Sequence, residues 1–576
     1  MHRTITLRGD TGRGQLDSAE LHPVLQRVLR NRAISSIDEL NTSLSGLLPF
    51  TGLKGMEQAV ALLVSALQQQ SRVLIVGDYD ADGATSTALA IKALKSMGFV
   101  HVDYLVPNRF EYGYGLSPEI VEVAKQQSPG LIITVDNGIA SLQGVAAAQA
   151  AGIQVLITDH HLAGAELPSA EAIVNPNQPG DSFASKSLAG VGVIFYLMLA
   201  LRSHLRDTAW FARQDINEPN LASLLDLVAL GTVADVVGLD ANNRILVSQG
   251  LARMRQGHCC EGIKALCQVS ARERQRLSTG DLAFALAPRL NAAGRMEDMS
   301  LGIECLLTED ADTALVIAQQ LNDLNLQRRE VEGQMQEEAM LILDHLEVDG
   351  DHLPAAICLY DPDWHQGVIG ILASRIKERF YRPVIIFADA GDGQLKGSAR
   401  SIPGLHIRDA LDAVASAQPG LITRFGGHAM AAGLSLEADC LEDFASALQS
   451  QVAARLRPED LQADLYSDGE LAEEELDLRL AQTLRYASPW GQGFPAPSFH
   501  GEFELISRRI VAGKHLKLQL CFRGGQQLFE AIAFNVTDEE WPPSVSSVRA
   551  VYGLDENVYA GRHSLQLMIE YIQPLA

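Results

Sequence analysis

Acidic residues and histidines gather in three short clusters: Asp78, Asp80 and Asp82 in DYDADG, Asp136 in DNG, and Asp159, His160 and His161 in DHH. Each cluster closes an apolar, largely β-branched run, namely VLIVG, LIITV and VLIT. A further carboxylate, Asp235, comes after the apolar stretch LGTVA. Carboxylates drawn together raise one another's pKa and resist ionisation unless a cation sits among them. Divalent metals neutralise that repulsion and favour oxygen ligands with an occasional imidazole. The chemistry that uses such a set is hydrolysis at phosphorus with two metals ~3.5–4 Å apart, one generating hydroxide and both stabilising an in-line displacement. Plainer roles exist for each cluster alone. An aspartate after a strand often serves as a helix N-cap, and Asp82 ahead of GATSTALA suits that role; Asp235 also suits an ordinary surface position. Recurrence on three successive strand ends favours the metal reading.

The elements that must position these residues are legible in the surrounding pattern. From Arg72 onward, RVLIVGD, VDYLVP, LIITVD and VLITD alternate with helical stretches, including 118–125 and 142–151. That rhythm predicts a parallel sheet wrapped by helices, with ligands at the carboxyl ends of its strands. Residues 187–300 lose the strand signal and carry helical patterns such as LASLLDLVALGTVADVV, so the first lobe ends near 305. Between Glu309 and Leu346 there is no proline and one glycine, which predicts a connecting helix of about 35 residues spanning ~50 Å. A second α/β lobe comes next, with strands AAICLYD and PVIIFAD, a helix from Gln366 to Arg379 between them, and an end near Arg457. Residues 458–478 hold nine acidic and no basic residues, the composition of a solvated linker or helix face. Five strands separated by turn residues between 497 and 574 predict a small β-barrel of the OB type.

Charge restricts where a nucleic acid can bind. With 46 basic against 71 acidic residues and a net charge of −25, the surface as a whole repels phosphate backbones, so any such site must be local or metal-assisted. The sign reverses between residues 371 and 410, where seven lysines and arginines face four acids. There the helix start in WHQGVIGILASR, with Arg375, Ser398 and Arg400, suits a sugar-phosphate strand. The barrel offers Arg508, Arg509, Lys514, His515, Lys517 and Arg523 near Phe522 and Phe534, which reads either as a strand-tracking groove or as solvated surface charge. The seven cysteines are scattered without a C-x-x-C pair, which argues against a disulfide framework or zinc knuckle and fits a reducing cytoplasm. MHRTITLRGDTGRG has no apolar signal core and no stretch approaches ~18 uninterrupted apolar residues, so neither secretion nor membrane contact is expected.

DYDADG, VDNG, TDHH and GTVADVV, in this order, resemble the four motifs of the DHH phosphoesterase superfamily. The resemblance implies that Asp80 holds one metal, that Asp136 bridges both, and that Asp82, His160 and Asp235 hold the second, with His161 facing the scissile phosphate. The catalytic set is then His161, Asp136 and Asp82. Many members carry a histidine where this chain has Val76, so Asp78 is expected to take over that ligand role. The second lobe is similar to the DHHA1 substrate domain, with its signature at Gly426, Gly427 and His428; a tight turn with a packed histidine is the alternative. PNRFEYGYGLSPE with Arg109, PRLNAAGR with Arg289, Asn291 and Arg295, the connector and the barrel resemble the bacterial single-stranded-DNA-specific 5′→3′ exonucleases of the superfamily.

The expected architecture is therefore multidomain α/β: an N-terminal extension (1–50), a parallel-sheet DHH domain (51–305), a connecting helix (306–347), a DHHA1 α/β domain (348–457), and an acidic linker with an OB-fold barrel (458–576). The resemblance implies metal-dependent hydrolysis with two Mn2+ or Mg2+ ions, mononucleotide products, and a channel between the lobes that rejects duplex DNA. It also implies a cytoplasmic monomer that works on single-stranded DNA in recombination and repair, with single-strand-binding protein and a helicase as partners. The alternatives are a phosphodiesterase of short oligonucleotides or cyclic dinucleotides, which would lack the barrel, and a strand-binding module without catalysis.

Overall fold

Two strands of the first lobe, β1 (Val73–Gly77) and β3 (Leu131–Val135), are buried at every position. Such unbroken apolar runs suit a parallel sheet covered on both faces. With β2 (Val102–Leu105), β4 (Gln154–Thr158) and β5 (Ala172–Val174) they form a five-stranded parallel sheet in the order β2-β1-β3-β4-β5. Register then sets where the acidic residues emerge. Gly77 pairs with Val135, and Val135 with Thr158, so Asp78, Asp136 and Asp159 leave three adjacent strands side by side. The computed structural model describes residues 3–9, 16, 20–108, 115–348, 354–513, 515–534, 536, 545–559 and 561–575. Arg109 and Lys514 lie outside them.

Helices cover this sheet and bring further residues to its strand ends. Helix α1 (Ala81–Ser96) leaves the DYDADG loop, α2 (Pro118–Lys125) and α3 (Leu142–Ala150) cross between strands, and α4 (Gly190–Asp207) starts at the sheet's carboxyl edge. Helix α5 (Leu225–Ala234) is buried along nearly its whole length and delivers Asp235 as its C-cap. A π-helical turn (Leu282–Leu286) leads directly into α6 (Ala287–Met296), the PRLNAAGR element.

The long connector is one helix, α7 (Ala311–Val348), of 38 residues. The chain divides into two units, Met1–Thr6 with Asp323–Leu465, and Leu7–Asn322 with Tyr466–Ala576. The division falls inside α7, and the barrel groups with the unit that carries the DHH sheet.

In the second lobe, β6 (Ile357–Tyr360) and β7 (Val384–Asp389) are parallel, while β8 (Gln394–Arg400), β9 (Arg424–Gly427) and β10 (Ala431–Glu437) complete an antiparallel remainder. The helix between β6 and β7, α8, runs Ile369–Phe380 and starts later than the expected Gln366. Side-chain turns delay it, because Asp361 accepts from the Asp363 amide (2.9 Å) and His365 Nδ1 accepts from the Gly367 amide (3.0 Å). The last five strands, β11 (Phe499–Val511), β12 (His515–Phe522), β13 (Leu528–Phe534), β14 (Ser547–Tyr559) and β15 (Arg562–Pro574), close into a barrel in the order β11-β12-β13-β15-β14. The β13–β15 pair is parallel and seals the barrel.

The acidic run 458–478 departs from the solvated linker that its composition predicts. Residues Asp464–Ser467 form a strand, and Asp468 is buried. Its carboxylate accepts two hydrogen bonds from the buried Arg32 guanidinium (2.8 and 2.9 Å), one from Asn31 (3.0 Å) and one from the Ser498 amide (3.1 Å). Composition averages over such a residue. Removing one partner of a buried ion pair leaves the other charge uncompensated, so Asp468→Ala should destabilise by ~3–5 kcal/mol. Asp460→Ala, which loses an exposed pair with Arg457 and a hydrogen bond from that residue's amide, should cost far less. Thermal melts of the two variants check the contrast.

Candidate metal centre

The D-x-D-x-D loop divides its three carboxylates among different tasks. Asp80, not Asp82, is the N-cap of α1, its Oδ1 accepting from the amides of Asp82 (2.9 Å) and Gly83 (3.0 Å). Asp82 sits inside the first helical turn and is buried. It accepts from the amides of Gly190 (2.6 Å) and Val191 (3.0 Å), so it rests on the N-terminus of α4, where orphan backbone donors favour an anion. That seat requires glycine: a Cβ at Gly190 would lie 2.6 Å from the Asp136 Cβ.

Asp136 comes directly after β3 in a left-handed conformation, φ 60°. Non-glycine residues pay ~1–3 kcal/mol for such strain, which persists where surrounding structure enforces it and clusters at functional sites. Here Asn137 does the enforcing, its side-chain amide donating to the carbonyls of Val76 (3.0 Å) and Val135 (2.9 Å) across β1 and β3. His160 Nε2 lies 3.1 Å from Asp136 Oδ1 and 3.3 Å from Asp235 Oδ2. Ligand atoms of Asp78, Asp80 and Asp136 fall within 4.8 Å of one another, as do those of Asp82, His160 and Asp235, and those of Asp136, His160 and His161.

Electrostatics show what this donor set lacks. Burial and the charge of Asp80 push Asp82 up to about 7. Burial and the neighbouring carboxylates, Asp82 first among them, raise Asp136 and Asp235 well above the ordinary carboxylate value. Asp82, Asp136 and Asp235, beside the His160 imidazole, therefore stand in a low-dielectric pocket that penalises their charge. A hard divalent cation is the species that relieves this, and the donor chemistry fits Mn2+ or Mg2+.

The DHH histidines are held from behind. Asp159 is buried, and its Oδ1 accepts from the amides of His160 (2.7 Å) and His161 (3.1 Å) and pairs with His161 Nδ1 at 2.7 Å. Burial opposes ionisation at Asp159, yet the His161 hydrogen bond wins and holds the carboxyl below its usual value. Burial likewise opposes charge on His161, yet Asp159 lifts it to about 9. Asn175 and Asn177, just past β5, donate to the carbonyls of His161 (2.9 Å) and His160 (2.6 Å). Asn137, Asn175, Asn177 and the α4 amides are contributors that motif reading missed. VNPN directly after a strand was the available signal, since asparagine before and after proline marks a side-chain-bonded turn.

The remaining candidates are spread over α6, the second lobe and the barrel. Asn291 Oδ1 accepts from the Ala81 amide at 2.7 Å, which ties α6 to the metal loop. Arg289 donates to the Ala285 carbonyl (2.6 Å) and to Asn322 (3.1 Å), and Arg295, on the last turn of α6, is half-buried. In the second lobe, Arg375 is engaged by Glu332 (3.0 Å) and Glu378 (3.5 Å). Arg400 differs: it donates to the hydroxyls of Ser374 (3.2 Å) and Ser398 (3.3 Å) and to the Ala399 carbonyl (2.9 Å), with no carboxylate opposite it among the described residues. Burial lowers its pKa. A Cβ at Gly370, in the first turn of α8, would lie 3.0 Å from both Arg400 and Ser398. Guanidinium, hydroxyls and a helix N-terminus thus converge on one point. Gly426, Gly427 and His428 form the β9–β10 hairpin, where the His428 amide donates to the Ala431 carbonyl (2.8 Å) and its side chain is exposed. On the barrel, Lys517 pairs with Glu530 at 3.1 Å, and Phe534 is half-exposed against His515.

Three family models match separate stretches of the chain. Residues 72–232 match the DHH family, N-terminal domain; 353–454 match the DHHA1 domain; and 467–571 match the RecJ OB domain. The single-stranded-DNA-specific exonuclease RecJ of Escherichia coli is 54% identical over 558 residues, 97% of each chain. RecJ of Thermus thermophilus is 34% identical over 512 residues, 88% of this chain and 69% of that one. The crystal structure of RecJ in complex with Mn2+ from Thermus thermophilus superposes with a TM-score of 0.79 at 30% identity, covering all of this chain and 79% of the other. The Mg2+ complex of the same protein superposes at 0.74.

The raised carboxylates give metal binding a pH dependence with a definite sign. Asp82 is raised to about 7, so its stabilising contribution in metal-free protein is full below the unfolded value near 4 and is lost as pH rises through 7. A cation replaces the proton. The rise in Tm produced by Mn2+ should therefore be larger at pH 8 than at pH 6, and thermal melts with and without Mn2+ at the two pH values measure it.

Proposed function

The chain belongs to the RecJ family, and from that membership and the metal centre we infer that it is an exonuclease that hydrolyses single-stranded DNA with divalent metal ions. The observation that carries the reading is the pair of donor sets, Asp78, Asp80 and Asp136 beside Asp82, His160 and Asp235. Asp78, Asp80 and Asp136 would hold one ion and Asp82, His160 and Asp235 the other, and Asp136, which also groups with His160, would be available to both. Bound Mn2+ or Mg2+ supplies charge stabilisation at the phosphate and an activated water. The chain's own groups do the rest. Asp159 keeps His161 protonated at neutral pH, so the imidazolium donates to a phosphate oxygen or to the leaving oxygen. Arg400, Ser398 and the start of α8 form a seat for a phosphate, which suits a half-buried guanidinium with no carboxylate opposite it among the described residues.

Attack from the 5′ end with release of mononucleotides is the finer reading, drawn from the motif resemblance. The closed barrel with Arg508, Arg509 and Phe534 on its outer side suits a single strand and counts against an enzyme restricted to cyclic dinucleotides or very short oligonucleotides. Work in recombination and repair beside single-strand-binding protein and a helicase, as a monomer in the cytoplasm, is drawn from the same resemblance. Seven free cysteines accord with a reducing compartment, and among the described residues no single helix is long and apolar enough to cross a membrane.

A long single strand labelled at its 3′ end tests the reading. With Mn2+ or Mg2+ the ladder should shorten steadily toward the label on a denaturing gel, and EDTA should stop it; an intact strand under every metal condition contradicts the reading. Asp159→Asn should lower kcat by ~10–100-fold, the usual cost of losing a ligand's or base's outer partner. Because Asp159 is what lifts His161 to about 9, the alkaline limb of the pH–rate profile should also move down in that variant.

A further inference from the structure

Phe284 is 84% exposed, more than any other large apolar side chain among the described residues. A phenyl ring carries a large apolar area that folding normally hides. Its position is unusual in a second way, because it lies within the π-helical turn Leu282–Leu286 that feeds α6. π-Turns inside longer helices recur at functional sites. A scattered exposed leucine needs no explanation; an exposed phenylalanine on this helix has a defined neighbourhood.

The rest of the helix supplies that neighbourhood. Leu282, Ala285, Leu286, Ala287, Leu290 and Ala293 are buried, while Phe284, Pro288, Asn291 and Arg295 are not. Their spacing of four, three and four places them along one helix face. That face leads to the reaction centre. Asn291 accepts from the Ala81 amide, between Asp80 and Asp82. Gly294 packs so tightly on the same loop that a Cβ there would sit 1.8 Å from the Tyr79 carbonyl oxygen. Arg289, one turn from Phe284, is held by Ala285 and Asn322. Phe284 and Asn291 are seven positions apart, about 10 Å of helix.

We propose that Phe284 is a stacking platform for a base of the single strand near the scissile phosphate, making it a substrate-positioning residue of the exonuclease. The inference rests on the exonuclease reading above. Every base presents a π-face, so the platform is indifferent to sequence, as an exonuclease that digests whole strands requires. An aromatic ring beside arginines also suits a single strand better than a duplex, whose bases face each other.

Steady-state kinetics on long single-stranded DNA, intact or with one abasic site placed at successive positions from the 5′ end, test the proposal. Phe284→Ala and Phe284→Leu should raise KM roughly ten-fold, with kcat changed far less, and Phe284→Trp should restore KM. In the unaltered enzyme an abasic site at one position of the series should raise KM by a similar factor, and in Phe284→Ala that penalty should vanish. Wild-type KM in Phe284→Ala overturns the proposal, as does wild-type KM in Phe284→Leu, or an abasic penalty that persists in Phe284→Ala. If the unaltered enzyme leaves long strands intact, the exonuclease reading itself fails and this inference falls with it.

Discussion

Mutual repulsion among buried carboxylates is the constraint around which the catalytic unit is organised. Asp82 and Asp136 are almost inaccessible to water, Asp235 is largely enclosed, and burial together with the neighbouring charges holds all three above their ordinary pKa. A fold that brings them together must do so by rigid means, since nothing in their own interaction favours the arrangement. The strand register supplies the first of these, aligning Gly77, Val135 and Thr158 on neighbouring strands. The α4 amides on Asp82, the Asn137 bridge between β1 and β3, and the strained backbone of Asp136 supply the others. The strain at Asp136 is a cost, whereas the amide and Asn137 contacts are favourable in themselves and fix the carboxylates where a divalent cation fits.

The same logic runs with opposite sign in the second lobe. Arg400 is a guanidinium enclosed by serine hydroxyls and the first turn of α8, with burial disfavouring its charge and no carboxylate to balance it among the described residues. One unit carries a cation centre and the other an anion seat. The global charge of −25 is thus compatible with a polyanionic substrate, because binding depends on two local fields rather than on the surface as a whole.

Much of this was legible in the sequence where periodicity and chemistry coincide. VLIVG, LIITV and VLIT announce a buried parallel sheet, and a carboxylate after each announces the site. What composition and pattern concealed were contacts between residues distant in the chain. Asp468 sits in a run that reads as solvated, yet it closes a buried pair with Arg32, more than 400 residues away. Gly190 and Val191 read as the start of an apolar helix, and their role as donors to Asp82 exists only once α4 meets the strand ends. The N-cap also belonged to Asp80 rather than Asp82, a distinction of two residues that sequence cannot draw when both precede the same helix. Arg375 looked equivalent to Arg400 by charge, and only the surrounding acids separate them.

Under the proposed function Asp136 joins two cation sites whose buried carboxylates otherwise hold protons or repel one another. Counting bound Mn2+ by electron paramagnetic resonance at pH 8, for the unaltered chain and for Asp136→Asn, tests it most directly. The account predicts about two tightly held ions per chain in the first, as two-metal hydrolysis requires, and loss of tight binding at both positions in the second. An unaltered chain that binds none, or an Asp136→Asn variant that retains both with unchanged affinity, would contradict it.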